Sequence, residues 1–443
     1  MTERLYLHVG APKSGTTYLQ SVLRANRERL ADAGVLVVGD RHVEVVHAGL
    51  IIREDPRVAN LSPDEARSWQ RLVDAIKAWQ GRSAILSYEL LAGASAEQAR
   101  AALAQLPGIE IHIVFTARDF ARALPSAWQE RLKFGLARPL EKWVPKGEDD
   151  GPRAEWGWRT MDPSGVTERW AADLPPAQVH IVTVPRSGAA PDELWQRFAR
   201  ACDLDVPGLD LAVTTANESL TPASAELLRR VNRRLGPPIT GNREHARWIR
   251  DLLAHQVLVP LGKKEGLGMT DEQFEQAVAR SDAAIEQLRT RGYDVQGDLE
   301  EIRATRPTGR TPGEVGDAEL VRLAAQAIAD LLVRLRAATI DRTTDGGSRR
   351  GTVATEPDEP LRERVKSGAR RAAENTAATY VNKRMDKMAE RIAELEAEVQ
   401  RGRVLQRRVA ELDDLVCELL VPTAGQSDDI LVKAIKKYRK DSL

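Results

Sequence analysis

The sequence predicts an α/β fold: a parallel sheet of four or five strands with helices on both faces, plus a C-terminal helical or coiled-coil extension. Three observations lead there. Short apolar, β-branched runs alternate with segments of helical spacing, as βαβ units require. The first run enters a glycine-bounded loop that opens a helix. Past residue 360 the apolar residues recur three and four apart among charges.

In order, Leu5–Val9 reads as a buried strand, Gly10–Gly15 as a turn, and Thr16 to about Ala33 as a helix carrying Leu19, Val22, Leu23 and Leu30. Val35–Val38 is the second strand, followed by a loop. Pro63–Gln80 is a helix with Ser62 as its cap, and Ala84–Tyr88 is the third strand. A helix over Ala96–Leu106 precedes the strand Ile109–Thr116, and a helix follows from Phe120 to Ala137. Val179–Val184 is the fifth strand, and Pro191–Cys202 a helix after it. From about Leu220 to Thr290 the spacing is helical only.

These elements predict a domain over 1–305, with an α/β core at 1–210 and a helical cover at 220–290. A Pro/Gly/Thr-rich linker and an amphipathic helix follow at 306–340, then a disordered linker at 341–360 and a helical tail at 361–443. In that tail Ile392, Leu395 and Val399 form one apolar set. Leu405, Val409, Leu412, Val416 and Leu419 form another, out of phase around Gly402. The stripe reads either as a coiled coil or as one helix packed on the main domain. A coiled coil would give a homo-oligomer or a helical partner through 385–420. The basic end, 430–440, reads as a solvated tail or as a weak contact with an anionic surface.

The chain has 443 residues, with Lys+Arg 65 balanced by Asp+Glu 65. No global basic field points to nucleic acid. The 2 cysteines, Cys202 and Cys417, give neither a disulfide framework nor metal-ligand spacing. There is no apolar run of ~18 residues and so no membrane-spanning segment. The N-terminus lacks a signal-peptide pattern, so a cytoplasmic location is expected.

The chemistry concentrates in Gly10-Ala11-Pro12-Lys13-Ser14-Gly15-Thr16-Thr17, between a strand and a helix. Glycines admit a phosphate close to the backbone, and the helix N-terminus points N–H groups at it. Ser14, Thr16 and Thr17 add hydroxyls, and Lys13 adds a charge. In an ordinary nucleoside-triphosphate loop the lysine follows the second glycine. Here Thr16 holds that place, and the lysine stands two residues before Gly15. Pro12–Thr17 resembles the 5′-phosphosulfate-binding loop of sulfotransferases that use 3′-phosphoadenosine 5′-phosphosulfate (PAPS). The resemblance implies a P-loop-like sulfotransferase domain, with PAPS as co-substrate, no required metal, and sulfuryl transfer to a hydroxylated acceptor such as a carbohydrate or metabolite.

A second element agrees with it. The strand ending Phe115-Thr116-Ala117 is followed by Arg118, with Ser126 eight residues on inside the next helix. In open parallel sheets ligands sit beyond the strands' carboxyl ends. Arg118 and Ser126 resemble the family's 3′-phosphate site, although Phe120 stands where the family often has proline. Arg122 is a spare candidate. A general base must take the acceptor's proton. The candidates are Glu89, just past the third strand, and His47, in the loop after the second; the resemblance offers precedent for either residue type. The rival readings are a P-loop nucleotide kinase and a catalytically silent scaffold acting through its coiled coil.

Overall fold

The structure, a computed structural model, describes residues 2–145, 155–213, 219–262 and 265–347, with side chains to 338. These fall in one unit, Met1–Arg349. The rest of the linker, the apolar stripe of the tail and the basic 430–440 end lie outside the described residues.

The five expected strands are present as β1 (Arg4–Gly10), β2 (Val35–Val37), β3 (Ser83–Ser87), β4 (Glu110–Ala117) and β5 (Val179–Thr183). A sixth, β6 (Asp294–Gln296), goes beyond the expected four or five. Its three residues carry no apolar run; pairing with His180–Val182 recruits them to the sheet edge. All strands are parallel, in the order β2-β3-β1-β4-β5-β6.

Both faces of this sheet are buried, which is why its strands read as near-continuous apolar runs. Along β1, Leu5, Leu7 and Val9 enter one core and Tyr6 enters the other. Full burial of each such large side chain stabilises by roughly 1.5–3 kcal/mol. The Tyr6 side is covered by α1 (Thr16–Ala25), through Leu19 and Val22, and by the helix Glu193–Ala201, through Trp195 and Phe198. The stretch read as one helix to Ala33 is two, because α2 (Arg27–Asp32) starts after a break at Asn26. The Asn26 amide donates to the Val22 and Asp210 carbonyls, both at 2.8 Å, so its side chain competes with the backbone for carbonyl partners.

The loop expected after β2 is instead helix α3 (His42–Ile52). Its run VEVVHAGLII is apolar nearly all round, so no helical alternation marks it. Gly49 lies against the Tyr88 ring: a Cβ there would stand 2.3 Å from Tyr88 Cε1. Next come α4 (Ser68–Ala78), α5 (Ala96–Leu103) and α6 (Phe120–Lys133). The chain then continues past the expected boundary at 305. Thr305 bonds back to Asp119, and a helix spans Asp317–Gly347, covering the first residues of the expected linker.

This topology positions the site. From β1 the chain moves out to β2 and β3, then crosses back over β1 to β4 and on to β5. Connections leave β1 and β4 in opposite directions. Their carboxyl ends form the crevice where open α/β sheets bind ligands.

Candidate functional site

The loop after β1 is shaped by backbone requirements. The β1–β4 register shifts between His8 and Gly10, and Ala11 N–H then donates to Thr116 O at 2.9 Å. Gly10 has φ 119, and a Cβ there would meet Glu89 O at 2.6 Å, so the position admits only glycine. Lys13 is left-handed at φ 65, and Gly15 at φ 85 precedes α1. Gly15 supplies no side-chain cap, so the first N–H groups of α1 remain available to an anion.

The loop's side chains divide. Pro12, Ser14 and Thr16 are buried, and Thr17 is exposed. The Ser14 hydroxyl is turned inward, to Ala11 O and Thr116 Oγ1. Lys13 Nζ pairs with Glu130 Oε1 at 3.0 Å, and the same oxygen receives Lys133 Nζ at 3.0 Å. Burial works to raise the Glu130 pKa. The ammonium groups of Lys13 and Lys133 outweigh it and hold the carboxyl below its ordinary value. Two ammonium groups thus share this one carboxylate oxygen. Sequence reading gave Glu130 no role. The structure buries Lys133 to 1% side-chain exposure, because α6 turns that face inward. Trp128, on the same helix, is core, its Nε1 donating to Arg138 O at 3.0 Å.

Arg118 and the loop meet directly: Arg118 Nη1 donates to Lys13 O at 2.7 Å. Burial and then the neighbouring Arg122 push the Arg118 pKa down, with Asp119 opposing them. An anion at this place would relieve both penalties. Arg118 lines a cleft of about 300 Å³ together with Arg122, Ser126, Gln129, Arg306 and Thr308. Sequence reading placed Arg306 at a domain boundary. Thr305 N–H donates to Asp119 Oδ2 at 3.1 Å, which folds the segment onto the cleft; only a long-range contact reveals this.

The two base candidates separate. Glu89 opens a 3-10 turn just past β3, against Gly10, and its Oε2 accepts from Gln20 Nε2 of α1 at 2.9 Å. His47 lines a surface pocket with Arg41, Glu44, Glu65 and Arg71, which shares no residue with the Arg118 cleft. The histidine that feels Glu89 is His42: burial lowers its pKa, Glu89 draws it up and Arg24 pushes it down. Sequence reading passed over His42, and also the buried His8 of β1, whose polar ring within LYLHVG was the available signal. Among the described residues no His, Cys, Asp and Glu cluster is placed to hold a metal ion. None of their helices is long and apolar enough to cross a membrane.

The fold and site thus define an α/β protein with a glycine-bounded loop at the switch point of a parallel sheet, opening on the N-terminus of α1. Residues 388–442 match a family described as a domain of unknown function (DUF6752). No curated protein matches the chain. Among solved structures, it is similar to a sulfotransferase from Alicyclobacillus acidocaldarius at 14% identity and TM-score 0.31, covering 58% of this chain and 100% of that one. It is also similar to a sulfotransferase domain from the curacin biosynthetic pathway at 13% identity and TM-score 0.27, covering 48% of this chain and 79% of that one.

Proposed function

We propose that this protein is a sulfotransferase that moves a sulfuryl group from PAPS to an acceptor hydroxyl on a glycan, glycolipid or small metabolite. The observation that carries this reading is the 2.7 Å bond from Arg118 to the Lys13 carbonyl, which joins two cationic elements at the switch point. One faces the α1 N-terminus and suits a 5′-phosphosulfate. The other, with Arg122 and Ser126, suits a second phosphate on the same nucleotide.

In the transfer, a bond forms from the acceptor oxygen to sulfur while the bond from sulfur to the 5′-phosphate oxygen breaks. Lys13 stabilises the charge that develops on the leaving phosphate. To do so it exchanges its Glu130 partner for that oxygen. Glu89 takes the acceptor's proton, held in place by Gln20. The Lys13 ammonium and the Arg118 guanidinium favour the polyanionic product 3′,5′-ADP (PAP), with its two phosphate groups, over a neutral ligand.

Calorimetry with PAP, 5′-AMP and ATP–Mg²⁺ tests the donor. PAP should bind at least about tenfold tighter than AMP, the effect of about 1.4 kcal/mol from one charge-assisted contact set. Equal affinities for PAP and AMP would remove the second phosphate site. Tighter binding of ATP–Mg²⁺ would make the protein a nucleoside-triphosphate enzyme instead.

A further inference from the structure

Beneath the phosphate loop lies a buried chain of polar side chains that the transfer reaction does not use. His8 sits on β1 with no solvent exposure. Its Nδ1 lies 2.8 Å from Ser87 Oγ on β3, and its Nε2 lies 3.1 Å from Thr116 Oγ1 on β4. Thr116 Oγ1 in turn meets Ser14 Oγ of the loop, and Ser14 also meets Ala11 O. Side chains thereby link three adjacent strands and the loop, in addition to the backbone pairing.

The direction of every bond follows from proton counting. A carbonyl only accepts, so Ser14 spends its single proton on Ala11 O. Thr116 must then donate to Ser14, and His8 Nε2–H must donate to Thr116. His8 Nδ1 is left as an acceptor and takes the Ser87 proton. Burial lowers the His8 pKa to about 3, so the ring stays neutral and keeps one proton for this single arrangement. The Ser87 lone pairs remain for a donor in the pocket it lines with Gln20 and His42.

We propose that His8 is the positioning residue of the phosphate loop: its Nε2–H tautomer carries a one-directional hydrogen-bond chain from Ser87 through Thr116 to Ser14, and so holds the loop in its anion-binding shape. The ligand side of this inference rests on the sulfotransferase reading; the chain itself does not. A reversal at any one link would leave one contact with two protons or with none, which is costly where no water can compensate.

Long-range ¹⁵N–¹H spectra of the full chain should show the His8 ring as the neutral Nε2–H tautomer from pH 5 to 8. Thr116→Val, which keeps shape and removes the hydroxyl, should speed exchange of the Ser14–Thr16 amides and weaken PAP binding about tenfold. Thr116→Ser, which restores the hydroxyl, should return both to the wild-type level. A His8 Nδ1–H tautomer or an imidazolium in that range would overturn the inference. So would a Thr116→Val protein whose loop exchange matches that of Thr116→Ser. If wild-type protein binds no PAP, the sulfotransferase reading falls, while the tautomer and the amide exchange still decide the chain.

Discussion

The two sides of the loop after β1 are built from opposite chemistry. Its floor is a neutral chain, Ser87–His8–Thr116–Ser14, fully buried except at the Ser87 end. Its face carries the charged triad Lys13–Glu130–Lys133, with Lys13 29% exposed. Hydroxyls and a neutral imidazole fix geometry without a net field, so the floor should be insensitive to salt. An ion pair at a partly exposed lysine is easily exchanged for another anion. On the proposed function the difference is a division of labour: the neutral side would hold the loop's shape, and the charged side would change partner during the transfer.

That contrast can be broken from either side. The largest effect is expected at the base. Glu89→Gln should lower turnover by about 10²–10⁴ while PAP affinity, measured by calorimetry, stays near wild type. His47→Ala should leave turnover within about twofold, because its pocket shares no residue with the Arg118 cleft. If the two variants behave the other way round, proton transfer belongs to His47 and the Glu89 assignment fails.

Next in size is the charged face. Lys13→Ala should lower turnover by about 10²–10³, with a smaller loss of PAP affinity, because its charge counts most when the leaving oxygen becomes negative. Equal losses in turnover and PAP affinity would mean that Lys13 binds the ground state and the transition state alike.

The smallest effect belongs to the floor and sharpens the comparison through pH. His8 has a folded pKa of about 3 against 6.5 for a free histidine. The unfolded chain therefore takes up the proton first. Stability is full above pH 6.5 and falls as the pH drops from there toward 3, by at most about 1.4 kcal/mol per pH unit. Urea unfolding of wild type and His8→Gln between pH 6.5 and 5 should show a shallower slope in the variant. His42 and His112, which burial also pushes down, keep part of the slope in both. Identical slopes would mean that His8 carries its proton in the folded state. The charged face responds elsewhere: Glu130 is depressed, so its contribution is present above the ordinary carboxylate range and is lost as the pH falls through the lower folded value.

Much of this organisation is legible along the chain. The strands β1 to β5 announce themselves because both of their faces are buried, and β1 and β4 carry the loop and Arg118 at their carboxyl ends. α3 was hidden because an all-apolar run has no periodicity to read, and that error placed His47 in a loop near the site. His42, the histidine that feels Glu89, opens the same helix. β6 was hidden because Asp294–Gln296 has no strand signal of its own.

What the sequence determined by itself is local: the glycines where φ is positive, the lysine displaced from its usual place in such loops, the arginine at a strand end, and the alternation that makes a parallel sheet. These follow from backbone sterics and apolar periodicity over a few residues. What only the tertiary structure decided is which side chains share a space. Lys13 meets Glu130 across 117 positions, His8 meets Thr116 across 108, and Thr305 meets Asp119 across 186. No periodicity encodes those distances; they arise when crossovers bring separate strand ends to one crevice and buried polar groups must find partners there.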